Sequence, residues 1–141
     1  AEPKDIAEIC ELYEAGLLDV GAEDIEKERV LHKVVISLNL APCFLLIIND
    51  KIVGIAGLTS NVLPWSGKAT LCDYMFYIKP DYRSLSNFGG LVEACKKFSD
   101  EVGLPLRFEF ISKNDEALRK RIYKMFGFEV SSVVGVYNYG R

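Results

Sequence analysis

The feature that most constrains the fold is a pair of uninterrupted apolar segments at residues 43–48 and 52–58. Three turn-forming residues, Asn49, Asp50 and Lys51, separate them, so the pair is predicted to form a β-hairpin. A strand with one face in water alternates apolar and polar residues, whereas these segments are apolar throughout. The hairpin is therefore expected to lie in a sheet that is covered on both faces.

The composition is that of one compact domain with a substantial core. The chain has 141 residues, of which 50% are hydrophobic and 26% charged. A chain of this length buries roughly two-thirds of its unfolded surface without needing disulfides or a structural metal. The net charge of −3 gives no electrostatic basis for binding duplex nucleic acid. Every apolar run is shorter than the about 20 residues that cross a membrane, and the N-terminal stretch is acidic, so a cytoplasmic location is expected.

The four cysteines predict neither a disulfide framework nor a metal site. They are Cys10, Cys43, Cys72 and Cys95, each within an apolar segment, and no two have the close spacing that chelates zinc. The single histidine, His32, lies at the margin of an apolar helix face and is expected to be an ordinary half-exposed residue. Buried free thiols and no metal are therefore predicted.

Two helices are predicted before the hairpin. Apolar residues at helical spacing indicate a first helix that begins at Asp5 and stops at Gly16. A second helix is predicted from a cap at Asp24 to just before Pro42. Its inward face is expected to carry four apolar residues, Leu31, Val34, Val35 and Leu38. Residues 59–68, after the hairpin, are predicted to form a loop.

The second half of the chain alternates strands and helices. The predicted elements are a strand at 69–78, a polar segment at 81–87, a helix ending at Gly103, a strand at 104–111, a helix at 115–126 and a strand at 128–139. Strands that are joined through helices require right-handed crossovers, so at least part of the sheet must be parallel. The predicted class is α/β (α+β) with the element order ααβββαβαβ.

Residues 77–94 are the most informative for function, because a strand ends at Pro80, a polar loop follows and a helix begins among small residues. The first N–H groups of a helix have no partners within it, and the helix dipole is positive there, so main chain alone can hold a phosphate. Four small residues would let the backbone approach a ligand closely, namely Ser84, Ser86, Gly89 and Gly90. Arg83 adds a positive charge with bidentate reach. The alternative is that these residues only cap the helix.

Two local signatures resemble the GNAT superfamily of N-acyltransferases. Residues 78–83, IKPDYR, are similar to the exit of that family's fourth strand, in which an aliphatic residue, Pro, Tyr and Arg follow in this order. Residues 114–128 resemble its fourth-helix signature at five positions, Asn114, Ala117, Tyr123, Gly127 and Phe128. The order of the predicted elements also matches, so the resemblance covers essentially the whole chain. It implies a single domain over 1–141, with a mixed, mostly antiparallel sheet of about six strands flanked by four helices.

The resemblance implies acetyl-CoA as co-substrate and an amine as acceptor, and it allows a homodimer. It assigns to acetyl-CoA eleven residues, Phe76, Tyr77, Ile78, Arg83, Ser84, Leu85, Ser86, Asn87, Phe88, Gly89 and Asn114. The family motif has small residues where this chain has Ser86 and Phe88, so one position carries a bulky side chain unless the loop shifts to Gly89. That departure motivates an alternative function, a GNAT-fold ligand- or protein-binding module without catalysis.

Attack of an amine on a thioester needs a base, an oxyanion donor and an acid for the leaving thiolate. Tyr123 is the predicted acid, because its ordinary pKa of about 10 is close to that of the leaving thiol, about 8.5. The alternative is that Tyr123 only packs on the fourth helix. A backbone N–H near Ile78 is the predicted oxyanion donor. No cysteine stands where a covalent carrier is expected, so direct attack in a ternary complex is predicted.

Asp73 is the predicted base, since burial among the apolar residues of its strand would raise its pKa. The alternative is a carboxylate that faces solvent from an edge or bonds to a neighbouring strand. Trp65, in the predicted loop, is expected either to line the acceptor pocket or to plug the loop.

Overall fold

The computed structural model describes residues 1–109, 120 and 123–129. Helices α1 (Ile6–Asp19) and α2 (Lys27–Leu40) are followed by strands β1 (Cys43–Ile48), β2 (Lys51–Val62) and β3 (Ala69–Ile78). Helix α3 (Leu85–Val102) then leads to strand β4 (Leu106–Arg107), and residues 123–125 are helical. None of the helices in this part of the chain combines the length and hydrophobicity required to cross a lipid bilayer.

The four described strands form one sheet in the order β1-β2-β3-β4. The β1–β2 and β2–β3 pairs are antiparallel, and β3 pairs with β4 in parallel, which confirms a mixed sheet in an α+β fold. The described residues supply four of the about six predicted strands. The last predicted strand falls, from residue 130 onward, outside the described residues.

Each face of the sheet has its own core. The residues buried with α1 and α2 include Ile9, Leu12, Val34, Ile55, Tyr74 and Met75, and those buried with α3 include Leu58, Leu71, Phe76, Ile78, Leu91 and Cys95. A register shift between Gly57 and Leu58 leaves Tyr74 as an extra residue on β3. Because of this bulge, the consecutive residues Tyr74 and Met75 both pack against the α1–α2 side.

One prediction about the hairpins is confirmed and one is wrong. Side chains of β1 pack on both faces of the sheet, Leu45 against the α1–α2 core and Phe44 and Leu46 against the α3 core, although β1 is the edge strand of the described sheet and its Ile47 is 58% exposed. Strand β2 does not end at residue 58 but continues to Val62, which pairs with Ala69. The predicted loop is therefore a turn at 63–68, and Trp65 at this hairpin tip is 79% exposed.

Helix α1 does not stop at Gly16. A Cβ at this position would lie 2.3 Å from Met75 Sδ, so Gly16 lets the helix approach β3 rather than ending it. The helix continues to Asp19, because the close contact with the sheet outweighs the low helix propensity of glycine.

Helix α2 begins later and faces differently than predicted. Its first residue is Lys27, and Asp24 has a positive φ of 54° in the preceding segment instead of capping the helix. The buried face carries Val30, Val34 and Ser37, while two residues of the predicted stripe, Leu31 and Val35, are exposed. The helix is apolar on several sides, so its sequence alone does not fix which side faces the sheet.

Candidate active site

The first turn of α3 presents backbone donors. Because α3 begins at Leu85, Ser86 and Asn87 belong to the helix and not to the loop before it. The Ser84 Oγ caps the helix by accepting the Asn87 N–H at 3.1 Å. The N–H groups of Leu85 and Ser86 have no partner within the helix, and no other described residue accepts them. Both residues are exposed, so these two donors face solvent at the positive end of the helix.

The Arg83 side chain is engaged within the protein. Its Nε donates to the Ile78 carbonyl at 2.7 Å, and its Nη2 lies 3.6 Å from Asp19 Oδ2 at the end of α1. The guanidinium also lies over the Tyr77 ring, 5.4 Å from its centroid. Arg83 thus joins the end of β3 to the end of α1, and a phosphate would compete with these partners for it.

Phe88 packs beneath α3 and not across its first turn. Its ring centroid lies 4.9 Å from that of Phe76 and 5.8 Å from that of Phe126. The Phe88 N–H bonds to the Ser84 carbonyl as the first amide of the helical ladder. Gly89 is also approached from this side, since a Cβ there would lie 3.2 Å from the Phe126 ring. The bulky side chain at the motif position is therefore directed into the core.

The register of β3 determines which of its backbone groups face an open edge. The Lys79 N–H donates to a β2 carbonyl at 2.8 Å, so the alternate residue Tyr77 also directs its backbone groups at β2. The backbone groups of Phe76 and Ile78 consequently face the β4 side. In the described residues β4 pairs with β3 only as far as Cys72, so this part of the edge is not covered by β4.

The structure brings the predicted acid and base to one peptide group. Asp73, 4% exposed, is the only buried charged residue among those described, and its Oδ1 accepts the Glu109 N–H at 2.8 Å. The Tyr123 hydroxyl, which is also buried, donates to the Phe108 carbonyl at 2.9 Å. That carbonyl and the Glu109 N–H belong to the same peptide group. Asp73 therefore bonds to the segment that continues β4, two residues beyond the end of that strand, which is close to the alternative of a bond to a neighbouring strand.

Phe108 and Tyr123 belong to an aromatic cluster next to this peptide group. Its members are Phe76, Phe88, Phe108, Phe126, Phe128 and Tyr123, whose neighbouring ring centroids lie 4.9–6.0 Å apart. Phe76 and Tyr123 are buried in this cluster and the other four rings are half-buried, so the apolar surroundings strengthen polar interactions near the ends of β3 and β4. The sequence analysis does not predict a role for Phe108, because its aromatic partners, Phe76 and Phe128, lie far from it in the chain.

Three of the four cysteines are buried thiols, as predicted, whereas Cys10 is half-buried. All four are free, and Cys43, Cys72 and Cys95 are buried. Burial raises the pKa of Cys43 to about 11 and also raises that of Cys95, to which the nearby Asp73 contributes. Thiols held in the protonated form are poor nucleophiles.

Three other residues that the sequence analysis named do not belong to this arrangement as far as the structure describes it. Asn114 is outside the described residues. His32 is exposed on α2, and Trp65 is exposed at the tip of the β2–β3 hairpin. Within the described ranges, no group of three or more His, Cys, Asp or Glu side chains could hold a metal ion.

Solved structures similar to this one include named acetyltransferases. A predicted acetyltransferase with acetyl-CoA from Clostridium acetobutylicum is 18% identical, with a TM-score of 0.77 over 98% of this chain and 92% of that one. An integron cassette protein from the mobile metagenome of Cole Harbour Salt Marsh is 16% identical, with a TM-score of 0.75 over 100% and 88%. An aminoglycoside acetyltransferase from an uncultured soil metagenomic sample, in complex with sisomicin, is 18% identical, with a TM-score of 0.66 over 96% and 90%.

No family model matches the sequence, and no curated protein matches it. The similarity is therefore one of structure, and it extends over most of this chain and of each of the three solved chains. The chain has the fold of the GNAT N-acetyltransferases.

Proposed function

We propose that this protein is an N-acetyltransferase that moves an acetyl group from acetyl-CoA to a primary amine, on a small molecule or on a protein, within one ternary complex. The observation that carries the proposal is the position of two amides, at Leu85 and Ser86, that no described residue accepts, directly after the part of the β3 edge that β4 does not cover among the described residues. The fold supports it, because structures with this fold include named acetyltransferases, one of them with acetyl-CoA. All of these elements belong to one proposed domain, residues 1–141.

The residues at the end of β3 and the start of α3 fit a long, phosphate-bearing co-substrate. The α3 amides would hold its pyrophosphate, and the Phe76 backbone and the Ile78 N–H would pair with its pantetheine arm, since the Ile78 carbonyl already accepts from Arg83. An Ile78 N–H on this edge is the proposed oxyanion donor. Arg83 lies beside both and would exchange its contact with Asp19 for a phosphate. Acetyl-CoA supplies an activated thioester, and the protein supplies donors and orientation.

Proton transfer is assigned to the two buried side chains. Asp73 is proposed as the base, since it is the buried carboxylate of the described residues. Tyr123 is proposed as the acid that protonates the leaving thiolate, for which its hydroxyl would leave the Phe108 carbonyl. The protonated thiols make a covalent carrier unfavourable, which supports direct attack by the amine.

A matched pair of variants at Leu85 tests the anion site. Leu85→Pro deletes one proposed donor, and proline is well tolerated at the first helical position. Ser84 has the extended conformation (φ −145°, ψ 160°) that a following proline favours. We expect Leu85→Pro to weaken acetyl-CoA binding by about 10-fold or more, since hydrogen bonds to charged groups contribute about 1.5–3 kcal/mol. Leu85→Ala keeps the N–H and should bind within about threefold of the unaltered chain.

Binding is measured by calorimetry and by the shift in melting temperature. Acetyl-CoA at 100 times its Kd should stabilise the protein by about 2.7 kcal/mol. The absence of any shift with acetyl-CoA would contradict the enzyme proposal. Equal affinity in the proline and alanine variants would contradict the role of the Leu85 amide.

The alternative is a binding module of the same fold without catalysis. It is favoured by the internal contacts of Arg83, Asp73 and Tyr123, each of which bonds to backbone. Release of CoA in the presence of a panel of amines, including aminoglycosides, polyamines and lysine peptides, separates the two functions. Binding of acetyl-CoA without release of CoA for any amine would support the binding module.

A further inference from the structure

Asp73 and Tyr123 form hydrogen bonds to the N–H and the carbonyl of one peptide group. Asp73 Oδ1 accepts the Glu109 N–H at 2.8 Å, and the Tyr123 hydroxyl donates to the Phe108 carbonyl at 2.9 Å. Both side chains are buried, at 4% and 7% exposure, so loss of either bond would deprive a buried side-chain polar group of this partner. One peptide group is thus fixed by two side chains from different elements.

This peptide group lies where the β3–β4 ladder ends. The two strands pair in parallel as far as Cys72 and Arg107, with the Leu71 N–H among the donors. Alternate residues bond in a parallel ladder, so the next acceptor for the Glu109 N–H would be the backbone carbonyl of Asp73. The Asp73 carboxylate takes that N–H instead. A side chain that projects from β3 has therefore replaced a backbone group of β3.

We propose that Asp73 and Tyr123 form a peptide clamp, which holds the peptide group between Phe108 and Glu109 away from the β3 backbone and so keeps this peptide group off the adjoining β3 edge. The clamp follows from the contacts alone. Its effect on acetyl-CoA rests on the proposed function, because that edge is where the pantetheine arm is placed. In this role the two residues are positioning residues, in addition to any part they take in proton transfer.

Hydrogen exchange at the Glu109 amide tests the clamp independently of activity. Tyr123→Phe removes a hydroxyl that does not touch this N–H but binds the carbonyl of the same peptide group. We expect the Glu109 amide, followed by NMR in the full chain, to exchange about tenfold faster in Tyr123→Phe. The matched control is Tyr74→Phe, a buried tyrosine on the opposite face of the sheet, which should leave Glu109 unchanged. Unchanged exchange in Tyr123→Phe, or equal acceleration in both variants, would overturn the clamp.

Two variants of Asp73 separate the clamp from proton transfer. Asp73→Asn keeps an oxygen that can accept the Glu109 N–H but removes the basic carboxylate, whereas Asp73→Ala removes both. We expect Asp73→Asn to retain slow Glu109 exchange and to bind acetyl-CoA within about threefold, while its kcat falls by at least about 100-fold as for loss of a base. Asp73→Ala should in addition weaken acetyl-CoA binding by about 10-fold.

The two proposals fail in different ways. Equal loss of acetyl-CoA affinity in Asp73→Asn and Asp73→Ala would show that the retained oxygen does not support the β3 edge for binding, and would overturn the clamp. Absence of acetyl-CoA binding in the unaltered chain would overturn the proposed function, and Glu109 exchange would still decide the clamp.

Discussion

At the scale of single residues, the space around Gly57 shows how closely β2 packs on its neighbours. A Cβ at Gly57 would lie 2.3 Å from Cζ of Tyr74, whose ring is buried and packs edge-on against Tyr13 at 5.3 Å. We expect Gly57→Ala to lower the free energy of unfolding by about 2–3 kcal/mol, because this ring has little room to move. Gly90 lies at a helical position with open space around it, so Gly90→Ala should raise the free energy of unfolding by about 0.5–1 kcal/mol. Urea unfolding of the two variants measures the difference, and equal stabilities would contradict this packing.

At the scale of elements, the start of α3 is capped by a hydrogen bond that the Ser84 side chain accepts. Ser84→Ala removes the cap on the Asn87 N–H and should cost about 1 kcal/mol of stability. Ser84→Asp should retain the cap, with a negative charge that favours the helix dipole but repels a phosphate. Thermal unfolding and acetyl-CoA titration of both variants check this. Loss of stability in Ser84→Asp equal to that in Ser84→Ala would contradict the capping role.

At the scale of the whole molecule, the buried thiols make stability depend on alkaline pH. The native state keeps the Cys43 proton up to a pKa of about 11, against 9.0 for an exposed thiol, and burial raises the pKa of Cys95 and Tyr74 as well. The native state therefore holds more protons than the unfolded chain between these values, so stability falls as pH rises. Cys43 alone should account for about 2–3 kcal/mol between pH 9 and 11.

Urea unfolding at a series of pH values from 8 to about 11 tests this dependence. Cys43→Ala should reduce the fall of the unfolding free energy with rising pH. A stability that stays constant or rises over this range would contradict the buried protonated thiols.

The sequence by itself determined the elements and the local chemistry at the start of α3. Apolar periodicity and turn residues are local signals, so they predicted the β1–β2 hairpin, the third strand and the helix that follows it. The Ser and Gly residues after Pro80 likewise indicated an accessible helix start. These features depend on residues that are close together in the chain, which is why they could be read from it.

The tertiary structure alone decided how these elements meet. Gly16 continues a helix because it fits against Met75, and α2 turns Val30 rather than Leu31 to the sheet. The sequence did not decide whether Asp73 acts as a base or bonds to a neighbouring strand. Its partner, Glu109, lies 36 residues away, and only the parallel pairing of β3 with β4 brings the two together. Contacts between distant residues depend on register and packing, which no local pattern encodes.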